Sequence, residues 1–277
     1  MKKHLFKICL SIFALLFLVG PALCETITIN SDPWCPYNCA VGSDKPGYMI
    51  EVAKAIFEKA GHTIQYENMP WPRCIDFVQK GKIDAIVGAT KGEAETCVFP
   101  DEEFGFTNMC FFVKKGNPWQ YQNLESLKSL KVGIQAEYEY GSPLDEYFAQ
   151  HKSTPQVQEV SADEPLVLNI RKLLKDRIDA IPEDKSAFLY TAMLLGVSDQ
   201  VALAGATPIE SKEDFESRRV YIAFAPNKPS SQAYAKLFSE GINEMRVSGA
   251  LAQILAKYGL TDWKSDLNAA KSKLGAQ

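Results

Sequence analysis

Two stretches of the chain echo one another, GKIDAIVGA at 81–89 and DRIDAIPED at 176–184. Each is a short apolar run entered from an amphipathic helical pattern, so the same helix-then-strand unit is written once in each half. That repeat directs the chain toward two similar lobes. In the first half, TITIN at 26–30 alternates β-branched and polar residues, which predicts a strand. YMIEVAKAIFEKA at 48–60 sets Met49, Val52, Ala53, Ile56 and Phe57 on one helical stripe, and Gly61 stops the helix. A strand at 63–68, a helix in PRCIDFVQKG ended by Gly81, and a buried strand at 84–88 complete a βαβαβ unit. Such a unit requires a parallel sheet with right-handed crossovers.

The second half predicts strands at 107–114, 131–135, 157–160, 177–182, 201–205 and 219–225. Helices are expected over 143–150, 164–175, a stretch ending at Met193, 230–246 and 251–258, with a short one in the polar connector before Lys131. The expected class is α/β, each lobe a parallel-rich sheet flanked by helices, with a ligand cleft between lobes. Ligands of open α/β sheets gather at the carboxyl ends of the strands, and clefts favour small molecules.

Residues 1–24 carry Lys2, Lys3 and Lys7, then an apolar run from Ile8 to Val19, then Gly20-Pro21 before Ala22-Leu23-Cys24. This is the plan of a secretory signal, and the run is shorter than the about 20 residues of a membrane span. Leu23 stands where a lipoprotein signal needs a small residue. Cleavage is therefore expected after Cys24, which would start a periplasmic chain at Glu25. The formal net charge of −4, with no basic patch, gives no support for nucleic-acid binding. The apolar stripes are accounted for by two lobes, so a monomer is expected.

Outside the leader stand Cys35, Cys39, Cys74, Cys97 and Cys110. An oxidising compartment favours pairing, so two disulfides are expected with the pairing left open. Cys110, inside the apolar MCFFV, is expected to be the buried odd one. No metal is expected, because His62 and His151 lack ligand spacing. The C-x3-C of Cys35 and Cys39 is not a redox motif. No cofactor is implied, and no Ser-His-Asp or Cys-His arrangement offers catalysis.

Six segments in order carry a family resemblance: PGYMIEVAKAIFEKAG, GKIDAIVGAT, FFVKKG, LKVGIQ, RIDAIPEDKSAFLY and the stretch from YIAFAPNKPSS to LAKYGL. In these the chain resembles the periplasmic solute-binding proteins of amino-acid ABC importers, the family 3 extracellular solute-binding proteins. The resemblance implies the type II periplasmic-binding-protein fold, with 25–106 plus 218–277 as lobe 1 and 107–217 as lobe 2. It implies a small-molecule ligand, closure about a two-crossover hinge, and an ABC permease as partner. It assigns the grip on a ligand ammonium to Asp184, with Glu183 beside it, through a charge-assisted hydrogen bond. The competing role for Asp184 is that of a carboxylate at a helix N-terminus.

Two departures remove groups that hold an anion. The family's Arg after GKIDAIVGAT, which clamps a ligand carboxylate, is replaced by Glu93-Ala94-Glu95 in the candidate register. Its Gly-Thr after KVGIQ is replaced by Ala136-Glu137-Tyr138. The strand-end loops are instead aromatic and acidic, which is the chemistry of cation recognition. The candidate ligand-binding residues are Trp34, Tyr37, Trp71, Arg73, Thr90, Glu93, Glu137, Tyr138 and Asp184. They suit an amine gripped by aromatics and acids, or an unusual amino acid whose carboxylate meets Arg73. Two alternative functions stand beside import. One is a cyclohexadienyl-dehydratase-like lyase using Glu93, Glu137 or Glu183 as proton donor. The other is a solute sensor that docks on a membrane kinase.

Overall fold

A computed structural model describes residues 25–275 except 137, 139, 153 and 163. The expected signal at 1–24 and the candidate Glu137 lie outside the described residues. In chain order the elements are β1 (Thr26–Ser31), α1 (Tyr48–Lys59), β2 (Thr63–Asn68), α2 (Trp71–Gln79), β3 (Ala85–Ala89), β4 (Gly105–Phe106) and β5 (Met109–Lys114). Then come β6 (Val132–Gln135), α3 (Leu144–His151), β7 (Val157–Val160), α4 (Pro165–Leu174), β8 (Ile181–Asp184), α5 (Lys185–Leu194) and β9 (Val201–Ala206). The chain closes with α6 (Lys212–Ser217), β10 (Arg219–Phe224), α7 (Ser231–Ser248), α8 (Ala250–Ala256) and α9 (Lys264–Leu274).

The first sheet runs β2-β1-β3-β10-β4, with β1 parallel to both β2 and β3. Returning from the other half, β10 pairs antiparallel with β3 and β4. The stripe read from α1 is the packed one: Met49, Val52, Ala53, Ile56 and Phe57 are buried against Ile27, Ile29 and Phe224 of the same core. In the second half β5 lies between β8 and β9, antiparallel to both. Parallel pairing recurs in β6–β7, and Val132 bridges to Ala180 at the entrance of β8. The fold is the two-lobed type II α/β arrangement.

Two sequence expectations are corrected. The strand expected at 177–182 begins four residues later, because pairing with β5 starts at Ile181↔Phe112 and runs to Asp184↔Met109. Glu183 and Asp184 therefore sit in the strand rather than after it. Among the described residues one disulfide is formed, Cys35–Cys39. Cys74, Cys97 and Cys110 are buried free thiols, Cys110 as expected. Cys74 and Cys97 share an apolar cluster with Val78 and Ile86. Burial pushes the thiols up, Cys74 and Cys110 to about 12 and Cys97 to about 11, which suppresses the reactive thiolate. The helices α6 and α9 lacked an apolar signal; α9 buries Leu267 and Ala270 among mostly charged neighbours.

Candidate functional site

The carboxyl ends of β1 and β3 face the second half across a cavity of about 510 Å³. Its first wall is built by the segment after β1. There Trp34 N–H donates to the Asn38 carbonyl at 2.5 Å, Asn38 N–H returns to the Trp34 carbonyl at 3.0 Å, and Cys35–Cys39 cross-links the same turn. Gly47 lets this turn rest on the start of α1: its φ is 102°, and a Cβ there would fall 2.4 Å from the Tyr37 carbonyl oxygen. Trp34 lines the cavity with its indole stacked on the Tyr37 ring, centroids 4.0 Å apart. Tyr37 itself is buried behind that wall.

The turn after β3 supplies Thr90 and Glu93, both in the cavity wall. Glu93 organises its neighbours. Its Oε2 accepts from Thr90 N–H at 2.9 Å and Thr90 Oγ1 at 2.8 Å, and its Oε1 accepts from the Trp71 indole at 3.0 Å. Trp71 also lines the cavity. Asp32 stands on the same wall, and among the described residues no side chain pairs with its carboxylate. Burial, then the nearby charge of Glu93, hold the Asp32 carboxyl above its ordinary range.

The facing wall carries Tyr138, Tyr140 and Asp184. Tyr138 donates to Glu183 Oε1 at 2.7 Å, and Gln135 Nε2 donates to Glu183 Oε2. Glu183 is buried behind Tyr138 and is not part of the lining. Burial pushes its carboxyl up to about 8 although Tyr138, the Asp184 N–H and Gln135 all donate to it. Asp184 caps α5: Oδ1 accepts from the N–H groups of Ser186 and Ala187, both at 3.0 Å.

Of the sequence candidates, Trp34, Trp71, Thr90, Glu93, Tyr138 and Asp184 meet at this cavity. Tyr37 touches it through Trp34 and Asp184. Arg73 does not reach the wall: it is exposed on α2, with its guanidinium 4.7 Å from the Phe77 ring centroid. One turn of helix puts residues four apart on one face, and that turn carries Arg73 away from the cleft. The sequence reading missed Asp32, Asn38 and Arg218. Asp32 follows β1 directly, which is the signal that would have found it. Arg218 lines the cavity from the return crossover. Its Nε and Nη2 donate to the two Asp214 oxygens at 2.8 and 3.1 Å, and Nη2 also donates to the Pro208 carbonyl at 2.9 Å. The cation in the wall is thus paired with a carboxylate, its Nη1 buried without a partner among the described residues, and the lining is otherwise acidic and aromatic. Among the described residues no cluster of His, Cys, Asp and Glu is placed to hold a metal ion.

Comparison with known proteins bears on the fold and the family. The model of the bacterial extracellular solute-binding proteins, family 3, matches residues 27–261. No curated protein matches the chain. Among solved structures it is similar to a polar amino acid ABC uptake transporter substrate-binding protein from Streptococcus thermophilus, at 18% identity and TM-score 0.66, over 89% of this chain and 90% of that one. It is also similar to the L-cystine solute receptor of Neisseria gonorrhoeae in its unliganded open form, at 20% identity and TM-score 0.61, over 84% and 92%. A third likeness is to a histidine kinase sensor domain, at 20% identity and TM-score 0.55, over 84% and 95%.

Proposed function

This chain belongs to the bacterial extracellular solute-binding proteins, family 3, and on that premise we propose that it captures a small amine-bearing solute and hands it to an ABC importer. In this reading 25–106 plus 218–277 and 107–217 are the two bodies that close on the solute. The mature protein starts at Glu25 and works in the periplasm. The observation that carries the ligand class is the lining itself. Asp32, Glu93 and Asp184 stand among Trp34, Trp71, Tyr138 and Tyr140, while Arg218 is paired with Asp214. Aromatic faces and carboxylates both attract a cation. Across the register where the resemblance expects an anion clamp stand Glu93, Ala94 and Glu95 instead. In this reading the cleft binds and releases its solute unchanged, and Glu183, whose carboxyl is pushed up to about 8, is enclosed behind Tyr138.

A thermal-shift panel on the mature protein tests the reading with amines, amino acids, quaternary ammonium compounds, dicarboxylates and sugars. A ligand at about 100 times its dissociation constant stabilises by about 2.7 kcal/mol, which is readily seen. Stabilisation by amines that lack a carboxylate supports the proposal. Stabilisation by dicarboxylates or sugars alone overturns it. The likeness to a histidine kinase sensor domain favours one second reading, in which the closed form signals to a membrane kinase. Crosslinking in whole cells, followed by identification of the captured membrane protein, separates importer from kinase.

A further inference from the structure

Arg218 stands in the cavity wall where the chain returns from α6 to β10. Its carbonyl accepts from Thr107 N–H at 2.8 Å, next to the pairing of Arg219 with Phe106 of β4, which holds its backbone in place. A guanidinium carries five N–H donors in a rigid fork. Three of them are engaged outside the cavity lining, on the two Asp214 oxygens and the Pro208 carbonyl. Those anchors set the plane of the fork and with it the direction of Nη1. The two N–H groups of Nη1 are buried and have no partner among the described residues. A buried donor left unmatched costs free energy, more so when it is charged. An acceptor that reaches Nη1 from the cavity therefore removes a penalty as well as making a bond.

The carboxylates of the same lining do not supply that acceptor. Asp32, Glu93 and Asp184 all line the cavity, yet among the described residues the one ion pair of Arg218 is with Asp214. Glu93 is engaged by Thr90 and the Trp71 indole, and Asp184 by the start of α5. The cavity thus presents acids and a guanidinium that do not neutralise one another. A solute with an ammonium alone matches the acids and leaves Nη1 as it is.

From this we propose that the solute is zwitterionic and that Arg218 determines that specificity, Nη1 taking a carboxylate of the solute while its ammonium meets the acidic wall. The anion site then lies on the return crossover, not after β3 where the family resemblance expects it. The proposal rests on the reading of the cleft as an amine site and deepens it. Calorimetric titration at pH 7 tests it with ω-amino acids from glycine to aminohexanoate, and with the n-alkylamines and n-alkanoates of the same chain lengths. At the best length the amino acid is expected to bind wild type tenfold or more tighter than the matching alkylamine, the gain of one charge-assisted hydrogen bond. That ratio is expected to fall tenfold in Arg218→Gln and threefold or more in Arg218→Lys, which keeps a charge beside Asp214 but not the fork. A purely structural role would weaken both probes together and leave the ratio unchanged. Thermal unfolding of each variant verifies the fold, and the wild-type comparison needs no variant. Equal affinity of wild type for alkylamines and amino acids overturns the proposal and leaves the amine reading standing. A ratio unmoved in both variants overturns it too. Alkanoates bound as tightly as the amino acids overturn the amine reading and with it the zwitterion, and a wild type that binds none of the three series overturns both.

Discussion

Glu183 receives hydrogen bonds from Tyr138, Gln135 and the Asp184 amide, yet burial outweighs them and holds its carboxyl near 8, well above the ordinary 4.5. The folded protein therefore keeps a proton there that the unfolded chain has lost. Linkage gives the sign: the folded state binds more protons between about 4.5 and about 8, so this group's stabilisation is full below that window and fades as pH rises through it. Its slope is at most about 1.4 kcal/mol per pH unit. Asp184, also raised by burial, adds in the same direction. Glu183→Gln is neutral at every pH, so urea unfolding at pH 5 and pH 8 is expected to show a smaller loss in the variant than in wild type. Little of this was legible in the sequence. Glu183 and Asp184 were read as following a strand, and only the pairing of β8 with β5 encloses them. Asp32 and Asn38 were equally opaque, because their place in the cavity wall depends on how the turn after β1 folds against β3.

At the scale of elements, the turn between β1 and α1 carries the site. Its cross-link closes a ring from Cys35 to Cys39, a separation of four in sequence. Loop entropy for so short a ring gives about 2 kcal/mol, at the low end for a disulfide. The backbone bonds between Trp34 and Asn38 hold the turn independently. Replacing both cysteines by serine is thus expected to cost about 2 kcal/mol in urea unfolding and to leave the protein folded. The strongly periodic elements were readable: the α1 stripe and the β2 span stand where the pattern put them. The helix α9 was not, since a helix with Lys264, Asp266, Lys271 and Lys273 on a thin apolar seam looks like a solvated tail. Arg73 failed for a reason of geometry rather than chemistry: its loop-like PWPRC context is the first turn of α2, which points it at Phe77.

At the scale of the whole molecule, Glu103, 1% exposed, joins three segments distant in sequence. It accepts from Arg219 Nη2 at 3.0 Å, from Lys264 Nζ at 2.6 Å and from the Trp263 indole at 3.2 Å. Burial would raise its carboxyl, but Lys264 and then Arg219 hold it below its ordinary range. Glu103→Ala removes the buried acceptor they share, leaving Arg219 with Glu216 and Lys264 with Glu102, and is expected to cost about 1–3 kcal/mol, read by thermal or urea unfolding. The pH dependence of Glu103 opposes that of Glu183, since a lowered carboxyl stabilises above about 4.5 and loses that contribution in acid. The two groups thus give opposite slopes, Glu103 losing its contribution in acid and Glu183 losing its own as pH rises toward 8. Lys185 also pairs with Asp266 at 2.7 Å and Tyr37 donates to Asp184 at 3.0 Å, contacts that join α5 to α9 and the turn after β1 to the end of β8. The most direct measurement of the account is small-angle X-ray scattering of the mature protein, free and saturated with the amine that stabilises it most. The account predicts a smaller radius of gyration in the bound form, from two bodies closing on the solute. An unchanged radius at saturation would contradict capture by closure.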